Sequence, residues 1–240
     1  MRKIPLVLLP GLLCDGALWS HQQETLGDIA HVHVSDMTGD DRIGALAQSI
    51  LAAAPDSFAL AGLSMGGYVA LEVMRQAPDR VMRLALMDTS ARPDTPEQTA
   101  LRQALIDLAR RGEFKGVTPR LLPQLIHPDR LGDGSLTAAV LAMAERVGRD
   151  AFFRQQRLIM NRPDSRRDLG LIHCPTLVLC GRQDARTPLA ASEEMAEKIP
   201  RAALVVVEDC GHLAPMERPH AVTAVMRHWL QADPVRHGGV

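Results

Sequence analysis

Ser64, Asp184 and His212 lie far apart in a chain of 240 residues, yet their types and surroundings suit one chemistry. A serine hydroxyl is a weak nucleophile at neutral pH. It needs a base to take its proton, and the base needs an acid to orient it. Ser64 stands in Ala59-Leu60-Ala61-Gly62-Leu63-Ser64-Met65-Gly66-Gly67-Tyr68-Val69-Ala70-Leu71. An apolar run ends in glycine, the serine follows among small residues, and a helix-forming run begins at once. This predicts a strand, a tight turn and a helix, with Ser64 strained at the apex and its hydroxyl exposed. A side chain at Gly62 or Gly66 would collide with the neighbouring strand or helix. Met65 would offer its backbone N–H to a developing oxyanion beside the helix N-terminus.

The chain has nine histidines, so context selects the base. His212 lies in Asp209-Cys210-Gly211-His212-Leu213-Ala214-Pro215, directly after the last predicted strand and on the same sheet edge as the serine turn. His173 precedes a strand, at the opposite edge. His127 falls in the insertion, where it could line a pocket, though a solvated role is the favoured reading. The acid should also emerge at a strand C-terminus. Asp184 does so after Cys180, and Asp88, after Met87, is the other candidate. Asp184 is favoured over Asp88; its plainer reading is a turn carboxylate capping the next helix. Glu208 and Asp209 are expected to face away or to stabilise the loop. A second oxyanion donor should come from the loop after the first strand, where Gly11 lets the backbone approach and Leu12 would supply its N–H.

The elements that must position these residues alternate. Strands are predicted at Pro5 to Leu9, His31 to Ser35, Phe58 to Gly62, Val81 to Met87, Thr176 to Cys180 and Leu204 to Val207. Helices are predicted at Ala17 to Leu26, Ile43 to Ala54, Gly66 to Gln76, Leu189 to Lys198 and Ala221 to Leu230. Such alternation implies a parallel sheet with helices on both faces. From Arg92 to Asp168 no strand pattern is found. Gln98 to Arg111 sets Leu101, Leu105 and Leu108 on one helical face, Leu136 to Val147 forms a second helix, and Asp150 can cap a third. This block reads as an insertion over the C-terminal edge of the sheet, where open α/β sheets bind ligands. The expected division is a core of residues 1–91 and 169–232, a helical cap of 92–168, and a flexible tail of 233–240.

Composition narrows the function. A formal net charge of -1 gives no sign of a nucleic-acid partner, and aromatics at 3% leave few stacking platforms. No apolar run is long enough to span a membrane. The start, Met1-Arg2-Lys3 and then Ile4 to Leu13, has the outline of a short secretion signal. Leu12 and Leu13 before Cys14, with Pro5, Pro10 and Gly11 inside the run, favour a buried first strand instead. Cys14, Cys174, Cys180 and Cys210 have no zinc-like spacing, and reduced thiols in a cytoplasmic protein fit them best.

Taken together, Leu9-Pro10-Gly11, Gly62-Leu63-Ser64-Met65-Gly66-Gly67, Gly181-Arg182-Gln183-Asp184 and Gly211-His212 resemble the α/β-hydrolase superfamily, from Pro5 to about Leu230. The resemblance implies an α/β-hydrolase fold, Ser64 as nucleophile, His212 as base, Asp184 as its partner, and the Leu12 and Met65 amides as oxyanion donors. Many members have His-Gly where this chain has Pro10-Gly11, so the side-chain bonds that brace that loop are missing. The implied activity is a carboxylesterase for small to medium esters or lactones, with neither metal nor organic cofactor. Enol-lactonases, carbon–carbon bond hydrolases, cofactor-free perhydrolases and non-catalytic ligand receptors share the same scaffold. Leu12, Leu13, Met65, Phe152, Phe153, Met160 and Leu213 could wall an apolar pocket.

Overall fold

The computed structural model describes residues 3–232, so the expected tail, 233–240, lies outside the described residues. Six strands make one sheet: β1 (Ile4–Leu9), β2 (Ala30–Val34), β3 (Phe58–Leu63), β4 (Val81–Met87), β5 (Thr176–Gly181) and β6 (Ala202–Val207). Their order is β2-β1-β3-β4-β5-β6, and every pairing is parallel. Central strands of a parallel sheet are covered on both faces, so they read as unbroken apolar runs. β3 and β5 are buried at every position, whereas the edge strands β2 and β6 are only partly covered.

Side chains alternate across each strand and feed two cores. Leu6 and Leu8 pack on one face with Trp19, Met226 and Trp229. Val7 and Leu9 pack on the other with Leu46, Ile50, Val69 and Val73. The covering helices are α1 (Ser20–Thr25), α2 (Ile43–Ala53), α3 (Met65–Gln76), α6 (Leu189–Lys198) and α8 (Pro219–Gln231). Because β2 lies on one side of β1 and β3 on the other, the chain reverses its winding there. The resulting crevice opens at the C-terminal ends of β1 and β3, beside the Gly11-Leu12 turn and Ser64.

Between β4 and β5 the described residues hold no strand. Two helices dominate, α4 (Pro96–Leu108) and α5 (Gly134–Met160). Thr95 and Gln98 form a capping box at the start of α4. The leucine face of α4 points outward: Leu101 is 58% exposed, Leu105 39% and Leu108 43%, while Ile106 is buried. Helical periodicity marked a face without saying which way it turns. Ile106 faces the interior, against Leu13, Ala144 and Phe152. The second and third expected helices run on as α5, kinked at Gly148 (φ 77°). Asp150 there lies 3.7 Å from Arg149 at the surface rather than capping a new helix. A further short helix, α7 (Ala214–Glu217), follows His212 and has no counterpart in the sequence reading.

Candidate active site

Ser64 takes φ 54° and ψ −115°, a strained conformation for a residue with a side chain. Its N–H donates to Met87 O at 2.9 Å, and its carbonyl accepts from Gly67 N–H (2.9 Å) and the Thr89 hydroxyl (2.7 Å). The glycines make this turn possible. A Cβ on Gly62 would sit 2.3 Å from Gly66 O, and one on Gly66 would sit 2.1 Å from Leu9 O. With both bare, α3 closes onto β3 and onto the end of β1. A Cβ on Gly11 would lie 3.4 Å from Ser64 Cβ, so the turn after β1 adjoins the serine.

His212 Nε2 lies 2.9 Å from Ser64 Oγ. Its Nδ1 lies 3.0 and 2.9 Å from the two oxygens of Asp184. With Nδ1–H donated to the carboxylate, Nε2 remains to accept the serine proton. The Asp184 carboxylate also accepts the amides of Arg186 (2.7 Å) and Thr187 (3.0 Å) and the Thr187 hydroxyl (2.6 Å). It is therefore both the turn carboxylate and the partner of His212. Burial alone would raise its pKa, but the attraction and hydrogen bond of His212, with those of Thr187, outweigh it and hold the carboxyl below its ordinary value.

The loop carrying His212 is clamped by a residue that the sequence reading passed over. Glu217 is buried, and its carboxylate accepts the amides of Gly211 (3.1 Å), Leu213 (3.1 Å) and His127 (2.6 Å). The first two flank His212. His212 N–H in turn donates to Leu125 O at 3.0 Å. His127, read as solvated, is 8% exposed and belongs to this clamp, its backbone held by Glu217 and its Nδ1 accepting from Asp129 N–H. The only sequence signal for Glu217 is an acid shortly after a loop histidine, which many surface turns share.

Asp88 is fully buried and bonds elsewhere: its Oδ1 accepts Gly181 N–H at 2.8 Å, and among the described residues no hydrogen bond of good geometry reaches its Oδ2. Burial, then the nearby Asp184 charge, raises its pKa well above the ordinary carboxylate range. Glu208 pairs with Arg182 at the surface, and Asp209 lies 3.7 Å from Arg218. All four cysteines are unpaired. Burial pushes the Cys14 thiol up to about 12 and Cys180 to about 11, and Cys210 is raised as well. Burial therefore disfavours the thiolate, the reactive form, at all three.

In the turn after β1, Cys14 N–H donates to Gly11 O (3.1 Å) and Leu13 N–H donates to Gln155 Oε1 (3.0 Å). Met65 opens α3, so its amide has no acceptor within the helix. Leu12 and Leu13 pack with Ile106, Phe114, Phe152, Phe153 and Met160 in one apolar cluster. Of the residues expected to wall a pocket, Met65 and Leu213 belong instead to the two cores beside the sheet. An open cleft of about 500 Å³ borders this cluster at Phe114 and Val147, next to Gly148 and Arg149. Among the described residues no helix is long and apolar enough to cross a membrane.

Comparison with known proteins gives the same architecture a family. The pimeloyl-[acyl-carrier protein] methyl ester esterase of Nitrosomonas europaea is 28% identical over 225 residues, 86% of this chain and 88% of that protein. A thermophilic esterase from Thermogutta terrifontis superposes with a TM-score of 0.86 at 32% identity, over 95% of this chain and 90% of the other. The enol-lactonase from Burkholderia xenovorans LB400 also reaches 0.86, over 96% and 92% of the two chains. Its 23% identity speaks for the fold alone. The model of the alpha/beta hydrolase family matches residues 6–225, a span that reaches into every strand of the sheet, and the chain belongs to that family.

Proposed function

We propose that the protein is a serine carboxylesterase that works through an acyl-enzyme on Ser64. The observation that carries this reading is the unbroken relay from Asp184 through His212 to Ser64, with contacts of 2.9 Å on both sides of the imidazole. In the first step Ser64 Oγ attacks the ester carbonyl and His212 Nε2 takes its proton. Asp184 keeps the imidazole in the right tautomer and stabilises the imidazolium. The Leu12 and Met65 amides receive the tetrahedral oxyanion, each worth about 3 kcal/mol to the transition state. His212 then protonates the departing alcohol. In the second step it activates water, which releases the acid and restores Ser64.

Segment 92–168 acts as a cap in this reading. Its Ile106, Phe114 and Phe152, packed against Leu12 and Leu13, give the acyl group an apolar wall. The relatives named as methyl ester esterases make methyl esters the first class to try. The test is a panel of methyl, aryl and thioesters and lactones, run on wild type and Ser64→Ala together. Ester turnover lost in a folded Ser64→Ala is expected; undiminished turnover would refute the assignment. A lactone turned over far faster than any open ester would move the reading to a lactonase.

A further inference from the structure

The turn that would deliver the Leu12 amide has an unusual conformation for its sequence. The bond from Cys14 N–H to Gly11 O closes a four-residue turn over Gly11, Leu12, Leu13 and Cys14. Its third residue, Leu13, has φ 57°. A positive φ at that place is the mark of a type II turn, which takes glycine there because a side chain is strained. A leucine would relax to negative φ by rotating the Leu12–Leu13 peptide, unless that peptide is held. The Pro10-Gly11 sequence offers no side-chain donor or acceptor to hold it.

Gln155 supplies the hold from the far side of the chain. It is on α5, 142 residues from Leu13, and is 0% exposed. Its Oε1 accepts the N–H of the strained peptide at 3.0 Å, and its Nε2 donates to Met37 O at 3.2 Å. Both ends of the amide are used, so its orientation is fixed. We propose that Gln155 is the positioning residue of the oxyanion site: it locks the Leu12–Leu13 peptide in the flipped orientation and so aims the adjoining Leu12 amide at the acyl oxygen. This inference rests on the reading of Ser64 as nucleophile with Leu12 as an oxyanion donor. It also means that the cap segment completes the catalytic apparatus of the core rather than only covering it. Arg154 and Arg157 dock the same stretch of α5 onto Thr38 and Asp41, so Gln155 can be altered without undocking the helix.

The test compares wild type, Gln155→Met and Gln155→Glu. Methionine keeps the length and removes both hydrogen bonds. Glutamate keeps an acceptor for Leu13 N–H whether or not it carries a proton. Labelling of Ser64 by a fluorophosphonate comes first, and an unlabelled wild-type serine would overturn the underlying reading, not the role of Gln155 alone. With labelling established, kinetics on an aryl ester should show kcat down about 10- to 100-fold in Gln155→Met, with KM within about two-fold, the scale of a misaimed catalytic group. Affinity for a trifluoromethyl ketone, which mimics the tetrahedral state, should fall in parallel. Gln155→Glu should hold kcat within about five-fold of wild type, on the same scale of misplacement. A Gln155→Met enzyme with wild-type kcat and ketone affinity would overturn the proposal. So would a Gln155→Glu enzyme as impaired as the methionine variant. Should Gln155→Met fail to fold, glutamate against wild type decides the matter by the same limits.

Discussion

Replacing Glu217 by alanine should be among the most damaging single changes that leave the Ser64–His212–Asp184 relay itself untouched. Its carboxylate accepts three buried amides, those of His127, Gly211 and Leu213, at 2.6 to 3.1 Å. A buried amide deprived of its acceptor costs about 1–3 kcal/mol. Three such losses, eased in part by water entering the space, come to about 3–6 kcal/mol. Domains carry about 5–15 kcal/mol in total. For a chain of this size each kcal/mol moves Tm by about 2–4 °C, so Tm should fall by about 6–24 °C. Glu217→Gln offers a finer comparison. Its carbonyl can still serve Gly211 and His127, while its NH2 opposes Leu213 N–H, so the cost should be nearer 1–3 kcal/mol. Urea and thermal unfolding at neutral pH measure both variants. An alanine variant within 1 kcal/mol of wild type, by the cost of an orphaned amide, would refute the reasoning. So would a glutamine variant as unstable as the alanine one.

Three more outcomes follow from Asp184 and Asp88. Asp184→Asn should keep the fold and lower kcat by about 10⁴-fold, the usual cost of leaving the imidazole in the wrong tautomer. Because the Asp184 pKa is lowered in the fold, its contribution to stability is complete above the ordinary carboxylate range and is lost as pH falls through the lowered value. Urea titrations down the acid range should therefore decline less steeply for Asp184→Asn than for wild type. Asp88 has the opposite sign. Its folded pKa is raised, so its contribution is complete at low pH and is lost as pH climbs from the unfolded toward the folded value. Asp88→Asn should remove that decline and gain on wild type as pH rises from the acid range; a variant that tracks wild type there would contradict the raised pKa.

What the sequence made legible was written in local sterics and strand order. Gly62 and Gly66 announce the elbow because only a bare backbone fits against Gly66 O and Leu9 O. Asp184 and His212 were traceable because both follow apolar strands, whose buried runs stand out by composition. The absence of strands between β4 and β5 was legible for the same reason. Contacts that depend on distant partners were not. Gln155 sits in a helix of ordinary sequence, and its role depends on a turn 142 residues away. Glu217 ends a four-residue helix, too short to leave a periodic trace. Leu101, Leu105 and Leu108 share a face, but only packing decides that Ile106 is the residue turned inward. His127 was taken for solvated because nothing local reveals that Glu217 covers its backbone.

The claim that matters most is that one hydroxyl, at residue 64, is made nucleophilic by an imidazole 148 positions away. Intact-mass and peptide mass spectrometry after exposure to a fluorophosphonate measures this directly. A single adduct per chain on the peptide bearing Ser64, lost in Ser64→Ala and greatly slowed in His212→Ala, is the predicted result. A folded wild-type protein that takes no adduct, or one whose adduct forms undiminished without His212, would contradict it.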